Sequence, residues 1–147
     1  MNFIVSINRS TKPDYIFFIR ELRHPELECS GPETYDLSLL GFWYNKNRIV
    51  KGKTIFKELK KIDALKKCLN LQDLLAIKEK GTDIFLQLFG DKILYAWKSV
   101  SMHDDGNLYV PCLWVQEDEE ENCKNFLLAW HWLGNEFLAR HLNPYFI

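Results

Sequence analysis

The sequence contains no stretch long and apolar enough to cross a bilayer. Its best candidate, residues 84–97, is interrupted by Gln87, Asp91 and Lys92. The opening MNFIVSINRS lacks the basic start and apolar run of a signal peptide, so a cytoplasmic protein is the expectation. Glycine is sparse, and Gly41, Gly52, Gly81, Gly90 and Gly106 stand singly; with no GxGxxG or P-loop spacing, no phosphate cradle is indicated. Neither GxSxG nor SxxK occurs, and His24, His103, His131 and His141 share no HExxH or cysteine-paired spacing. The four cysteines (Cys29, Cys68, Cys112, Cys123) are scattered, which reads as packed thiols rather than a disulfide frame or a metal site. No metal and no cofactor is therefore expected, and an enzyme is the least supported class. Repeats and low-complexity linkers are lacking too.

What is present is aromatic and unevenly charged. The 147 residues fit a single domain, 1–147, able to bury roughly 70% of its unfolded surface without staples. Five Trp, six Tyr and ten Phe exceed what so small a core requires, so some are expected at a partner's surface. The net charge of −1 argues against binding nucleic acid through bulk charge. It nevertheless hides an asymmetry. Residues 46–67 hold nine basic side chains against Glu58 and Asp63, whereas residues 103–121 hold seven acids and no Lys or Arg.

The patterning predicts an α+β fold. Strands are expected at 2–8, 15–22 and 35–44, with a loop between the last two enforced by Pro25, Gly31 and Pro32. Two middle helices follow, at about 54–80. The first carries Ile55, Leu59, Ile62 and Leu69 at helical spacing, and the second has Asn70 as its cap with Asp73 at the third position. A three-stranded antiparallel meander is expected over about 84–116. Gly90-Asp91 and Asp105-Gly106 are its two-residue turns, in a register that sets Ser101 opposite Val110 and Trp97 opposite Trp114. A long C-terminal helix is expected over about 119–142. Asp118 and Glu121 resemble a capping box, and Phe126, Trp130, Leu133, Phe137 and His141 form a core stripe.

Two functional classes follow from these faces. The first is a non-enzymatic protein that binds another protein or a second copy of itself, as immunity and inhibitor proteins do. Its interface would be the outer side of the terminal helix: Leu128 and Trp132, with Glu136 and Arg140 paired i,i+4 at the rim. The second is a nucleic-acid binder in which Phe42, Trp43 and Tyr44 stack bases while Lys57, Lys60, Lys61 and Lys67 hold phosphates. A solvated lysine face on an amphipathic helix accounts for the same residues more simply. Likewise, the acids of 117–121 suit the positive end of a helix. His103-Asp104-Asp105, at a turn tip, is explained by the turn itself.

Overall fold

The computed structural model describes residues 2–43, 49–138 and 141–147. Along them run β1 (Ile4–Ser6), β2 (Ile19–Leu22), β3 (Thr34–Asp36), β4 (Gly41–Trp43), β5 (Val50–Lys51), α1 (Gly52–Lys61), α2 (Leu71–Glu79) and α3 (Thr82–Phe89). They are followed by β6 (Ile93–Tyr95), β7 (Ser101–His103), β8 (Leu108–Asp118), β9 (Cys123–Trp132), β10 (Glu136–Phe137) and β11 (His141–Tyr145). Sheet dominates, with three short helices packed on it.

Among the described residues the main sheet is seven-stranded and mixed, in the order β2-β7-β8-β6-β11-β4, with β9 on the opposite side of β8. Strand β8 organises it. One side takes β7 at Leu108 and Tyr109, then β6 at Cys112 and Leu113. The other side pairs with β9 over ten rungs, from Tyr109 opposite Trp132 to Asp118 opposite Cys123. The one parallel pairing joins β11 to β6. Smaller two-stranded pairs, β1 with β3 and β5 with β10, flank this sheet.

Period-2 alternation divides the core in two. Ile93, Tyr95, Val110 and Cys112 face α1, which contributes Ile55, Phe56 and Leu59. Leu94, Leu113, Val115 and Leu142 face the other way, toward Leu74 and Ile77 of α2 and Phe85 and Phe89 of α3. A sheet buried on both faces needs strands that are apolar almost throughout. At α2, the Asn70 side chain accepts from Asp73 N–H and the Asp73 carboxylate from Asn70 N–H, a reciprocal capping box.

The C-terminal helix expected over 119–142 does not form; that segment makes β9, β10 and β11. Because β9 is part-buried on both sides, its run Phe126–Trp132 shows no clean alternation, and aromatics four apart mimic a helical stripe. The acids at its start still cap, but they cap a hairpin loop. Asp118 Oδ1 accepts from the N–H groups of Glu120 and Glu121 at 3.0 and 3.3 Å, and Asn122 takes the left-handed conformation at φ +51°. Gly134-Asn135, placed within the expected helix, turns the chain between β9 and β10.

The meander over 84–116 is corrected as well. Residues 84–89 belong to α3, which buries Phe85 and Phe89, half-buries Ile84, Leu86 and Leu88, and leaves Asp83 and Gln87 exposed. Gly90, at φ +60°, ends that helix instead of turning a hairpin. The second turn does occur, but Gly106 N–H bonds His103 O and Gly106 sits at φ +81° as the third loop residue. That extra residue shifts the register by one, so Ser101 faces Tyr109. A tight helical turn at Trp97–Ser99 then separates β6 from β7, which removes Trp97 from any pairing with Trp114. Trp97 is wholly buried instead, its indole N–H donating to Asn143 Oδ1 at 2.7 Å. Similarly, the strand expected over 35–44 is broken by a turn at Leu37–Leu39.

Candidate interaction surface

Helices of this chain cover Leu94, Leu113 and Val115, so that part of the sheet is not open to a partner. The same face is open farther along β9. Val115 pairs with Phe126, Leu113 with Leu128, Pro111 with Trp130 and Tyr109 with Trp132, so these side chains form two parallel rows on one face. Phe126 is met by Phe85 of α3, ring centroids 5.6 Å apart and nearly perpendicular. Beyond it the cover stops. Leu128 is 36% and Trp132 44% exposed, and the Trp132 ring lies over Gly134, where a Cβ would collide with it.

Between this exposed row and the segment before β2 lies a groove of about 610 Å³. Its walls are Ile16 and Phe18 on one side and Leu128 and Trp130 on the other, with Tyr109, His103, Asp104 and Asp105 closing one end. His103 is held among aromatics: it stacks on Tyr109 at 4.0 Å and meets Phe18 and Trp130 edge-on at 5.0 and 5.3 Å. Burial pushes its pKa down, opposed by the charges of Asp105 and Asp104. The Tyr109 hydroxyl donates to Asp105, which raises the phenol's pKa and lowers the carboxyl's. His103 and Asp105 thus form one end wall of the groove.

β9 is also an edge. Among the described residues its only strand neighbour is β8, so one side of a ten-residue strand presents backbone groups with no strand opposite. At one end stands the exposed loop of Glu119, Glu120 and Glu121, continuing Glu117 and Asp118. At the other end are Trp132 and the groove. Salt-bridging within this surface is limited to Lys124, whose Nζ lies 3.4 Å from Asp83 of α3.

Of the interface residues expected from sequence, Leu128 and Trp132 lie on this edge, four rungs apart on one face with Trp130 between them. Glu136 is exposed on β10, opposite Lys51, and Arg140 lies outside the described residues, so their i,i+4 pairing has no helix to rest on. Phe18, Tyr109 and Trp130 were not expected here. Alternation of Leu128, Trp130 and Trp132 is the signal that marks Trp130, once the segment is read with period 2. On the nucleic-acid side, Lys57 and Lys61 lie on the outer face of α1, and the Lys60 ammonium sits 4.5 Å above the Phe56 ring. Trp43 and Lys67 line one cleft, whereas Tyr44 lies outside the described residues.

Elsewhere, burial pushes the thiols of Cys68 and Cys112 up to about 12, as suits packed cysteines. Tyr95, His131 and His141 cluster beside Phe137, with the Tyr95 hydroxyl 2.5 Å from His131 Nδ1. No group of three potential metal ligands occurs among the described residues. None of the helices described is long and apolar enough to cross a membrane. No protein-family model matches the chain, and neither a curated protein nor a solved structure does.

Proposed function

We propose that the protein is a non-enzymatic binding module that receives an extended segment of another protein along the free edge of β9. The observation carrying this reading is that β9 has, among the described residues, a strand neighbour on one side only, with an exposed aromatic row beside it. Proteins usually blunt such edges with charge, proline or a covering loop. Here Lys124 is the only charge on β9, and Phe126–Trp132 combines strong β propensity with no charged residue and no proline. Added strands gain affinity from main-chain hydrogen bonds and specificity from pockets that take alternate side chains. The groove beside Leu128 and Trp130 supplies such a pocket. Acids at the loop end, and Asp104 and Asp105 at the groove end, favour a partner segment that is apolar in its middle and basic at its ends. An immunity- or inhibitor-like role is one form of this activity, an association from size and surface rather than from chemistry.

The test is capture of partners from the source organism's extract by the wild-type chain and by Leu128→Lys, which places a charge at the edge. Loss of a captured protein in the variant, with unchanged thermal melting, supports the reading. Equal capture by both chains, or no capture beyond background, ends it. Light scattering on the same samples decides whether the occupant is a second copy.

A further inference from the structure

We propose a second binding site, independent of the β9 edge: a cleft between β4, β11 and the end of α1 that stacks a base of single-stranded nucleic acid, with the lysines of α1 holding its phosphates. The cleft encloses about 460 Å³ and is walled by Phe42, Trp43, Ile62, Lys67 and the ring of Tyr145. Two aromatic side chains, Trp43 and Tyr145, offer flat faces there, Phe42 turning to the opposite core beside Phe89, and every base has a matching face whatever its sequence. The walls are fixed by backbone. Gly41 lies opposite Tyr145 in the sheet, and a Cβ there would come within 2.5 Å of the phenol ring, so the missing side chain is what lets the ring lie flat across β4. Asn143 Nδ2 donates to the Trp43 carbonyl at 3.0 Å, holding β4 against β11.

Charge complementarity selects the occupant. The only acid in the cleft, Asp63, is held 2.7 Å from Lys66 Nζ, so its charge is answered locally. Lys67 has no ion-pair partner among the described residues. Lys61, Lys57 and Lys53 run along α1 at i, i+4 and i+8, lining a second groove that contains a single acid, Glu58. Lysines one helical turn apart, about 6 Å by helix rise, form a track of point charges for a polyanion. An acidic peptide would use the track but leave the aromatic cleft empty. A single-stranded nucleic acid uses both.

Fluorescence anisotropy of a labelled oligothymidylate, at low and at physiological salt, tests this. The wild-type chain should bind, with affinity falling linearly in log salt at a slope of about −0.7 per phosphate held. Trp43→Ala should weaken binding by roughly ten-fold or more. Lys57→Gln with Lys61→Gln should flatten the salt slope, and Trp132→Ala should bind as the wild type does. Thermal melting of each variant separates loss of the site from loss of the fold. No binding at low salt overturns the proposal. So does full affinity in a folded Trp43→Ala chain, which would mean attraction by charge alone.

Discussion

The start of α2 and the free edge of β9 both concentrate polar backbone groups, and the fold treats them in opposite ways. At α2 the N–H groups of Asn70, Leu71 and Asp73 are met by the side chains of Asp73, Ser99 and Asn70. Asn70 Nδ2 donates to the carbonyls of Leu27, Glu28 and Ser30, each at 3.0 Å, tying a loop to the helix cap. Asp73, wholly buried, accepts from Arg9 at 2.8 Å, from the Tyr35 hydroxyl at 2.7 Å and from Asn70 N–H at 2.9 Å. At β9 the described residues supply no second strand. The buried network is built from the chain's own side chains, whereas β9 keeps, among the described residues, one side without a strand neighbour beside an exposed tryptophan.

The largest effect is expected at the closed end. Asp73→Ala would leave Arg9 buried without its counter-charge and would remove the helix cap, at a cost of about 3–5 kcal/mol in urea unfolding. Asp73→Asn keeps an acceptor for Tyr35 and should recover part of that. If Asp73→Ala costs less than about 1 kcal/mol, the network is ornamental and the contrast with β9 fails.

The next effect runs in the stabilising direction. Lys98 is fully buried, and its ammonium has no hydrogen-bond partner among the described residues; it lies 5.6 Å from the centroid of the Phe146 ring. Burial lowers its pKa, partly opposed by Asp73. A lysine whose folded pKa is depressed costs stability as pH falls from its unfolded pKa to its folded one, because across that window the unfolded chain holds the proton and the folded chain does not. Lys98→Met should therefore stabilise the protein by about 1–3 kcal/mol at neutral pH. The gain should shrink as pH rises toward about 10.5 and vanish above it, where the unfolded lysine is also neutral. A second flaw in the same network, Glu28 Oε1, is likewise buried without a partner, and burial raises that carboxyl's pKa. Since Glu28 has the opposite sign, losing stability as pH rises, unfolding measured across pH separates the two.

Legibility from sequence followed the physics of each region. The cap at Asn70 and Asp73 is local chemistry, and three residues suffice to specify it. The first middle helix also shows in sequence, because one of its faces meets water. The misread stretches include 84–89 and 126–133, where apolar residues occupy nearly every position and helix and strand templates both fit. At Phe126–Trp132 the aromatic spacing i,i+4 fitted a helix, while ten rungs with β8, set by tertiary contacts, decided for a strand. Leu128 and Trp132 reached the surface anyway, since both templates place them on one face. Their companions Phe18 and Tyr109 lie far off in the chain, and no local pattern could have supplied them.

The smallest effect, and the sharpest for the comparison, lies within β9 itself. Phe126 and Trp132 point from the same face of one strand, six residues apart, but only Phe126 is covered, by Phe85 of α3. Phe126→Ala should open a cavity under α3 and cost more than about 1 kcal/mol. Trp132→Ala removes a larger ring yet should shift stability by no more than about 0.5 kcal/mol, because that ring is 44% exposed over a glycine turn. Chemical denaturation of the two variants locates where the fold's own needs end along the strand. An equal, large loss in both would mean Trp132 is held for folding, and the edge would then have no surplus to offer a partner. A loss confined to Phe126 leaves Leu128 through Trp132 unexplained by stability, and binding is the remaining use for an exposed indole on an open edge.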